Sequence, residues 1–312
     1  MILKTAALCA FALCQAATAA QLVSAVLYAT SVPPHARLPV YDNGYLIVTY
    51  SPRDSALTVY GPDGARVFDT LVKLPHGESP NLGNSAADTD GTIAVTVTYT
   101  SSQTYSGAIV LFNRIGHQTN VIDTGAYLPS ALAFDADHNL WAAGWQRDSQ
   151  DYFIFRKFSH TGADAGSFVR RSAFPAGLDP GHVPLGEKGV HVASGRVAAL
   201  LASGNSGDLH EWVELDLNGK LLGRWRMDHL FGVNLAFTSD GNIYGNTPLE
   251  KEKAVHLTVF DRSTASWKTI PDDIHVDWLM MGAAGDEIVV WDQGSDPMLL
   301  RYLLPGAPGP QP

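Results

Sequence analysis

The feature that most constrains this chain is a short turn that keeps returning. Asp240-Gly241 stands between two apolar, strand-like pieces in "NLAFTSDGNIYGN" (234–246). Asn43-Gly44, Asp90-Gly91, Asp137-His138, Ser194-Gly195 and Ala284-Gly285 stand in similar settings. The second members fall at 44, 91, 138, 195, 241 and 285, spaced by 47, 47, 57, 46 and 44 residues. Tight hairpins of this kind need residues that tolerate positive φ, hence Gly, with His where Gly is missing. A second turn follows the third strand of a unit, as in "YGPDGA", "FNRIGH", "FSHTGA", "LDLNGK" and "FDRSTA". The flanking segments, such as "YLIVTY" (45–50), "TIAVTVTY" (92–99) and "EIVVW" (287–291), are β-branched or aromatic and bounded by turn residues.

A four-strand unit repeated at this period predicts an all-β chain folded as a β-propeller with four-stranded antiparallel blades. Five units are complete. The sixth, from Asp277, supplies "DWLMM", "EIVVW" and "MLLRYLL" and lacks an outer strand. The unused strand-like segment is "QLVSAVLYAT" (21–30), which is expected to complete the last of six blades and close the ring. The 57-residue spacing marks an insertion around "SAFPAGLDPGHVPLG" (172–186). One domain over 21–305 is predicted, followed by a Pro-rich, disordered tail over 306–312.

The first 20 residues, "MILKTAALCAFALCQAATAA", run from a lysine through an apolar stretch to Ala17-Thr18-Ala19. That order reads as a signal peptide over 1–20, and hence as export to the periplasm or the exterior in a bacterial setting. The apolar stretch is shorter than the roughly 20 residues that a membrane span needs, and no later stretch is longer. Both cysteines, Cys9 and Cys14, lie in this leader, so the exported chain rests on core packing rather than disulfides. The formal charge is −10, with no basic run. Nucleic acid and anionic membranes are therefore poor partners on electrostatic grounds; no nucleic-acid partner and a monomer are expected.

The pattern F-x-x-D-G-N-I/L-Y/W at Phe237–Tyr244, degenerate at Phe134–Trp141, resembles the repeat of six-bladed propellers. NHL-repeat proteins and the gluconolactonase/senescence-marker-like group share that architecture. The motif is structural, and the scaffold hosts unrelated activities. The lone Trp291-Asp292 has no Gly-His partner and does not indicate WD40 repeats.

In such a ring the repeated turns lie on one face, and the longer, variable loops lie on the other, where function concentrates. Counting back seven residues from each turn glycine or its substitute gives a column at the start of the inner strands: Arg37, Asn84, Ala131, Lys188, Asn234 and Trp278. Glu187 and Asp277 precede two of these. Two residues deeper the positions are small or apolar. A polar rim above an apolar wall is the make-up of a binding pocket. Arg37, Asn84, Glu187, Lys188, Asn234, Asp277 and Trp278 are thus the candidate ligand-binding residues at the channel mouth.

Three readings are open for Glu187, Asn234 and Asp277. They satisfy blade junctions or face solvent; they bind a ligand without chemistry; or their oxygens hold Ca²⁺ or another divalent cation that activates water. The resemblance to the gluconolactonase-like group implies the last, because that group uses carboxylates and amides at its channel mouth. Lys188, next to Glu187, argues against a cation there. Tyr105, Trp145 and Trp278 offer aromatic faces for a sugar or peptide. Trp141, Trp212, Trp225, Trp267 and Trp291 are expected between blades. His191, His229 and His275 read as structural residues. Two functions follow. One is a propeller that binds a small molecule, carbohydrate or protein through its loop face. The alternative is a metal-assisted lactonase, esterase or lyase at the channel mouth.

Overall fold

The computed structural model describes residues 21–27, 39–50, 55–75, 79–101, 103–174, 188–202, 210–227, 235–248, 255–270, 279–292 and 298–303. Its strands form four-stranded antiparallel sheets, the blades of an all-β propeller. Blade one runs from the inner strand Val40–Asp42 to the outer strand Arg66–Leu71. Blade two runs from Asn81–Ala87 to Gln118–Gly125, and blade three from Tyr127–Phe134 to Asp164–Arg170. Blade four runs from Val190–Ala193 to Leu221–Met227, and blade five from Leu235–Phe237 to Ser266–Thr269. A further sheet orders Leu279–Ala284, Glu287–Asp292 and Met298–Leu303, and its outer position is taken by Gln21–Leu27. Inner strands touch the inner strands of their neighbours in chain order, and Leu279–Ala284 touches Val40–Asp42.

The hairpins behind the repeat come in two lengths. Asn43-Gly44 joins Asp42 directly to Tyr45, and Ser194-Gly195 joins Ala193 to Arg196. In blades two, three and five the last paired residues are Ala87 and Ile93, Phe134 and Leu140, and Phe237 and Ile243, which leaves five residues in each turn. The left-handed position of these longer turns holds Gly91, His138 and Gly241, at φ 87°, 61° and 83°. Inner strands also carry bulges, between Leu82 and Ser85, Pro129 and Ala131, and Met280 and Gly282. A bulge adds a residue on one strand and re-aims its side chain.

Apolar residues between neighbouring sheets form the core. Trp212 of blade four is fully buried against Leu235, Phe237 and Ile243 of blade five, with an edge-on ring contact to Phe237. Trp141 is equally buried, in a cluster with Val190 and Val197 of blade four, and packs on Phe168 of its own blade. The expectation that tryptophans wedge between blades holds at these positions. Glu214 lies at the junction of blades four and five with no exposed surface. Its carboxylate accepts bonds from Trp212 Nε1 at 2.8 Å, Arg196 at 2.7 Å and Arg262 Nε at 2.8 Å.

Tyr127 anchors blade three. It is buried, and its hydroxyl donates to the Ile154 carbonyl at 2.8 Å. Burial pushes its phenol pKa well above the ordinary value, although Arg156 beside the ring works in the opposite direction. The native state therefore holds the neutral phenol, while the unfolded chain ionises near pH 10. That contribution to stability is intact below pH 10 and is lost as pH rises above it. Tyr127→Phe is expected to lose about 1 kcal/mol at neutral pH and to show a shallower fall in melting temperature above pH 10. Melting curves across that range compare the two proteins.

Candidate functional site

Two of the candidate mouth residues, Asn84 and Lys188, are described, and the structure brings them together. The Asn84 side-chain amide donates to the Lys188 carbonyl at 2.8 Å, and its Oδ1 accepts the Ser85 N–H at 2.7 Å. Asn84 sits at the bulge of the blade-two inner strand, where the Thr96 hydroxyl also holds its carbonyl. Arg37, Glu187, Asn234, Asp277 and Trp278 lie outside the described residues, as do His229 and His275.

The Lys188 ammonium lies 2.5 Å from Asp42 Oδ1. Both side chains are largely buried, at 13% and 7% exposed. The second Asp42 oxygen accepts the Ala87 N–H at 3.0 Å. Lys188 precedes the inner strand of blade four, and Asp42 ends that of blade one. These blades are not neighbours in the ring, so the pair crosses the channel. Asn84, from blade two, fixes the backbone that carries the lysine. Residues 146 apart in sequence thus form one polar unit across the axis. A buried charge pair satisfied in this way is held in place, because removal of either member leaves the other uncompensated.

Asp42 was missed by the column of candidates, and the two hairpin lengths explain why. Seven residues back from Gly44 or Gly195 is five residues before the end of the inner strand. From Gly91 or His138 it is only three. Lys188 therefore sits two residues nearer the loop face than Asn84 and Ala131. Aligned instead on strand ends, the column reads Asp42, Ala87, Phe134, Ala193, Phe237 and Ala284. A single charged residue in an otherwise apolar column is the signal that points to Asp42.

Other candidates take ordinary structural roles. His191 is 4% exposed with its ring against Trp212. Tyr105 donates its hydroxyl to Thr98 at 2.8 Å and stays partly exposed, and Trp145 packs at the edge of the core between blades three and four. In the 146–152 loop, Asp151 accepts the Ser172 N–H at 3.0 Å and pairs with Arg170; the Ser172 bonds hold its carboxyl below the usual range.

No protein-family model and no curated protein matches the sequence. Solved structures match at the level of fold. An oligogalacturonate lyase from Vibrio parahaemolyticus is 10% identical with a TM-score of 0.49, over 85% of this chain and 77% of that one. A gluconolactonase from Xanthomonas campestris is 11% identical with a TM-score of 0.48, over 90% and 98%. A manganese complex of oligogalacturonate lyase is 11% identical with a TM-score of 0.48, over 84% and 74%. These likenesses assign no activity to the chain.

Proposed function

We propose that this protein is an exported six-bladed β-propeller, closed by Gln21–Leu27, that binds a small-molecule, carbohydrate or protein ligand at its channel mouth and loop face without performing chemistry on it. The observation that carries this reading is the Lys188–Asp42 pair across the channel. A divalent ion would have to compete with the Lys188 ammonium for the Asp42 carboxylate. Two cations in a poorly screened site repel strongly. Polar groups anchored on rigid strands, with variable loops above them, suit recognition.

A thermal-shift screen tests it, using neutral and acidic oligosaccharides on one side and Ca²⁺ and Mn²⁺ on the other. A saccharide at about ten times its Kd is expected to raise the melting temperature by roughly 3 °C, and Asn84→Ala should weaken that binding. A rise with Ca²⁺ or Mn²⁺ that Asp277→Ala abolishes would overturn the reading in favour of metal-assisted catalysis.

A further inference from the structure

The hairpins after the inner strands of blades two and three meet on the face of repeated turns, away from the loops. Asp88 and Asp90 belong to one hairpin and His138 to the other. His138 Nδ1 lies 2.8 Å from Asp88 Oδ2. One donor atom from each of the three residues lies within 4.8 Å of the others. Asp88 is 3% exposed, while Asp90 and His138 face solvent.

Comparison of the two repeats shows what Asp88 lacks. Asp135 holds the same place in blade three. Its Oδ1 accepts the N–H groups of Asp137 and Asn139. Its Oδ2 accepts Trp141 Nε1 at 3.1 Å and lies 3.1 Å from the Lys157 ammonium. Trp141 and Lys157 are cross-strand partners, and the equivalent partners in blade two are Ala94 and Leu111. Asp88 Oδ1 takes the N–H and hydroxyl of Thr89. Among the described residues, its Oδ2 meets His138 alone. A carboxylate buried as deeply as Asp135 therefore has only an imidazole where its counterpart has a permanent ammonium, and burial of a carboxylate without a permanent countercharge is expensive.

His138 adds a second peculiarity. It occupies the left-handed position that Gly91 and Gly241 fill in the matching turns, at φ 61°. Glycine adopts that conformation freely, whereas a residue with a Cβ is strained there. The imidazole is thus presented towards blade two by a turn that would close more easily without it.

We infer that Asp88, Asp90 and His138 form a Zn²⁺ site that clips blade two to blade three. One imidazole nitrogen and two carboxylate oxygens are a donor set suited to Zn²⁺. Tetrahedral coordination with bonds of about 2 Å places donors roughly 3.3 Å apart, so the three groups need to shift by about 1 Å or less, and water takes the fourth position. The ion supplies at Asp88 the positive charge that Lys157 supplies at Asp135, and two carboxylates balance its charge.

The test is titration of ZnCl₂ into tag-free protein by calorimetry, with Co²⁺ as a spectroscopic substitute. One site of micromolar affinity or better is expected, together with the visible absorption of tetrahedral Co²⁺. The melting temperature should rise by about 5 °C at a hundredfold excess over Kd. His138→Gly removes a ligand while restoring the residue that the matching turns use. Asp90→Asn keeps an acceptor for the Thr92 N–H, which the carboxylate holds at 2.8 Å. Each variant is expected to bind Zn²⁺ at least tenfold more weakly. No uptake by the parent protein at millimolar Zn²⁺, or unchanged affinity in either variant, overturns the proposal.

Discussion

Glu214→Gln is expected to destabilise the protein by about 3 kcal/mol or more, a fall in melting temperature of roughly 10 °C. The carboxylate has no exposed surface and gathers donors from two blades. Trp212 and Arg196 belong to its own blade, and Arg262 comes from the outer turn of blade five. Arg262 also donates to the Gly241 carbonyl at 2.6 Å, while its own carbonyl accepts Trp225 Nε1 at 3.1 Å. One group therefore holds together the outer turn of blade five, its inner hairpin and the third strand of blade four. The substitution preserves shape but removes the charge opposite two guanidinium groups, and it turns an amide N–H₂ towards donors. Charge-assisted bonds are the stronger kind, and a buried donor left unpaired bears its full desolvation penalty. Adding Arg262→Met to the glutamine variant should cost much less than Arg262→Met alone, because the arginine has already lost its partner. Reversible denaturant unfolding of the four proteins measures the coupling. A loss below about 1 kcal/mol for Glu214→Gln would mean that the blades are not joined through this residue.

The architecture was legible because the turns enforce their own chemistry. Positive φ at Gly44, Gly91, His138, Gly195, Gly241 and Gly285 restricts which residues can stand there, so the period survives where the strands between have diverged. Strand ends were less legible. Asn43-Gly44 and Asp90-Gly91 look alike in sequence, yet one is a two-residue hairpin and the other lies within a five-residue turn. That difference shifted half of the inner-strand column and hid Asp42. Lys188 was legible as a polar residue near the axis, but its partner was not. A pair 146 residues apart follows from ring closure and side-chain reach, and neither leaves a local pattern. Asp88 and His138 were hidden for another reason. Each has a sufficient local explanation as a turn residue, and their meeting depends on how two turns abut.

A chain lacking residues 1–27 is expected to melt at least 10 °C lower than one that begins at Gln21, and to form oligomers. Gln21–Leu27 runs antiparallel to Met298–Leu303, from Gln21 opposite Leu303 to Leu27 opposite Met298, with an irregularity at Val23. The strand adds little core of its own: Leu22 and Val23 are 50% and 41% exposed. Val26 is its inward contact, against the cluster of Tyr41, Leu46, Val48 and Trp291 where the closing blade meets blade one. Its larger contribution is the hydrogen-bond ladder, worth roughly 5 kcal/mol at about 1 kcal/mol per bond. The strand also covers an edge. Without it, "MLLRYL" (298–303) presents unpaired backbone along an apolar sequence, the arrangement that recruits another chain. The peptide QLVSAVL added in trans should restore the monomer and most of the melting temperature, since it rebuilds the same ladder. A version with Val26→Asp should do so poorly, because a carboxylate would enter the Tyr41 cluster. If the truncated chain stays monomeric and melts with the full one, the ring is held shut by blade-to-blade packing alone and the N-terminal strand is dispensable.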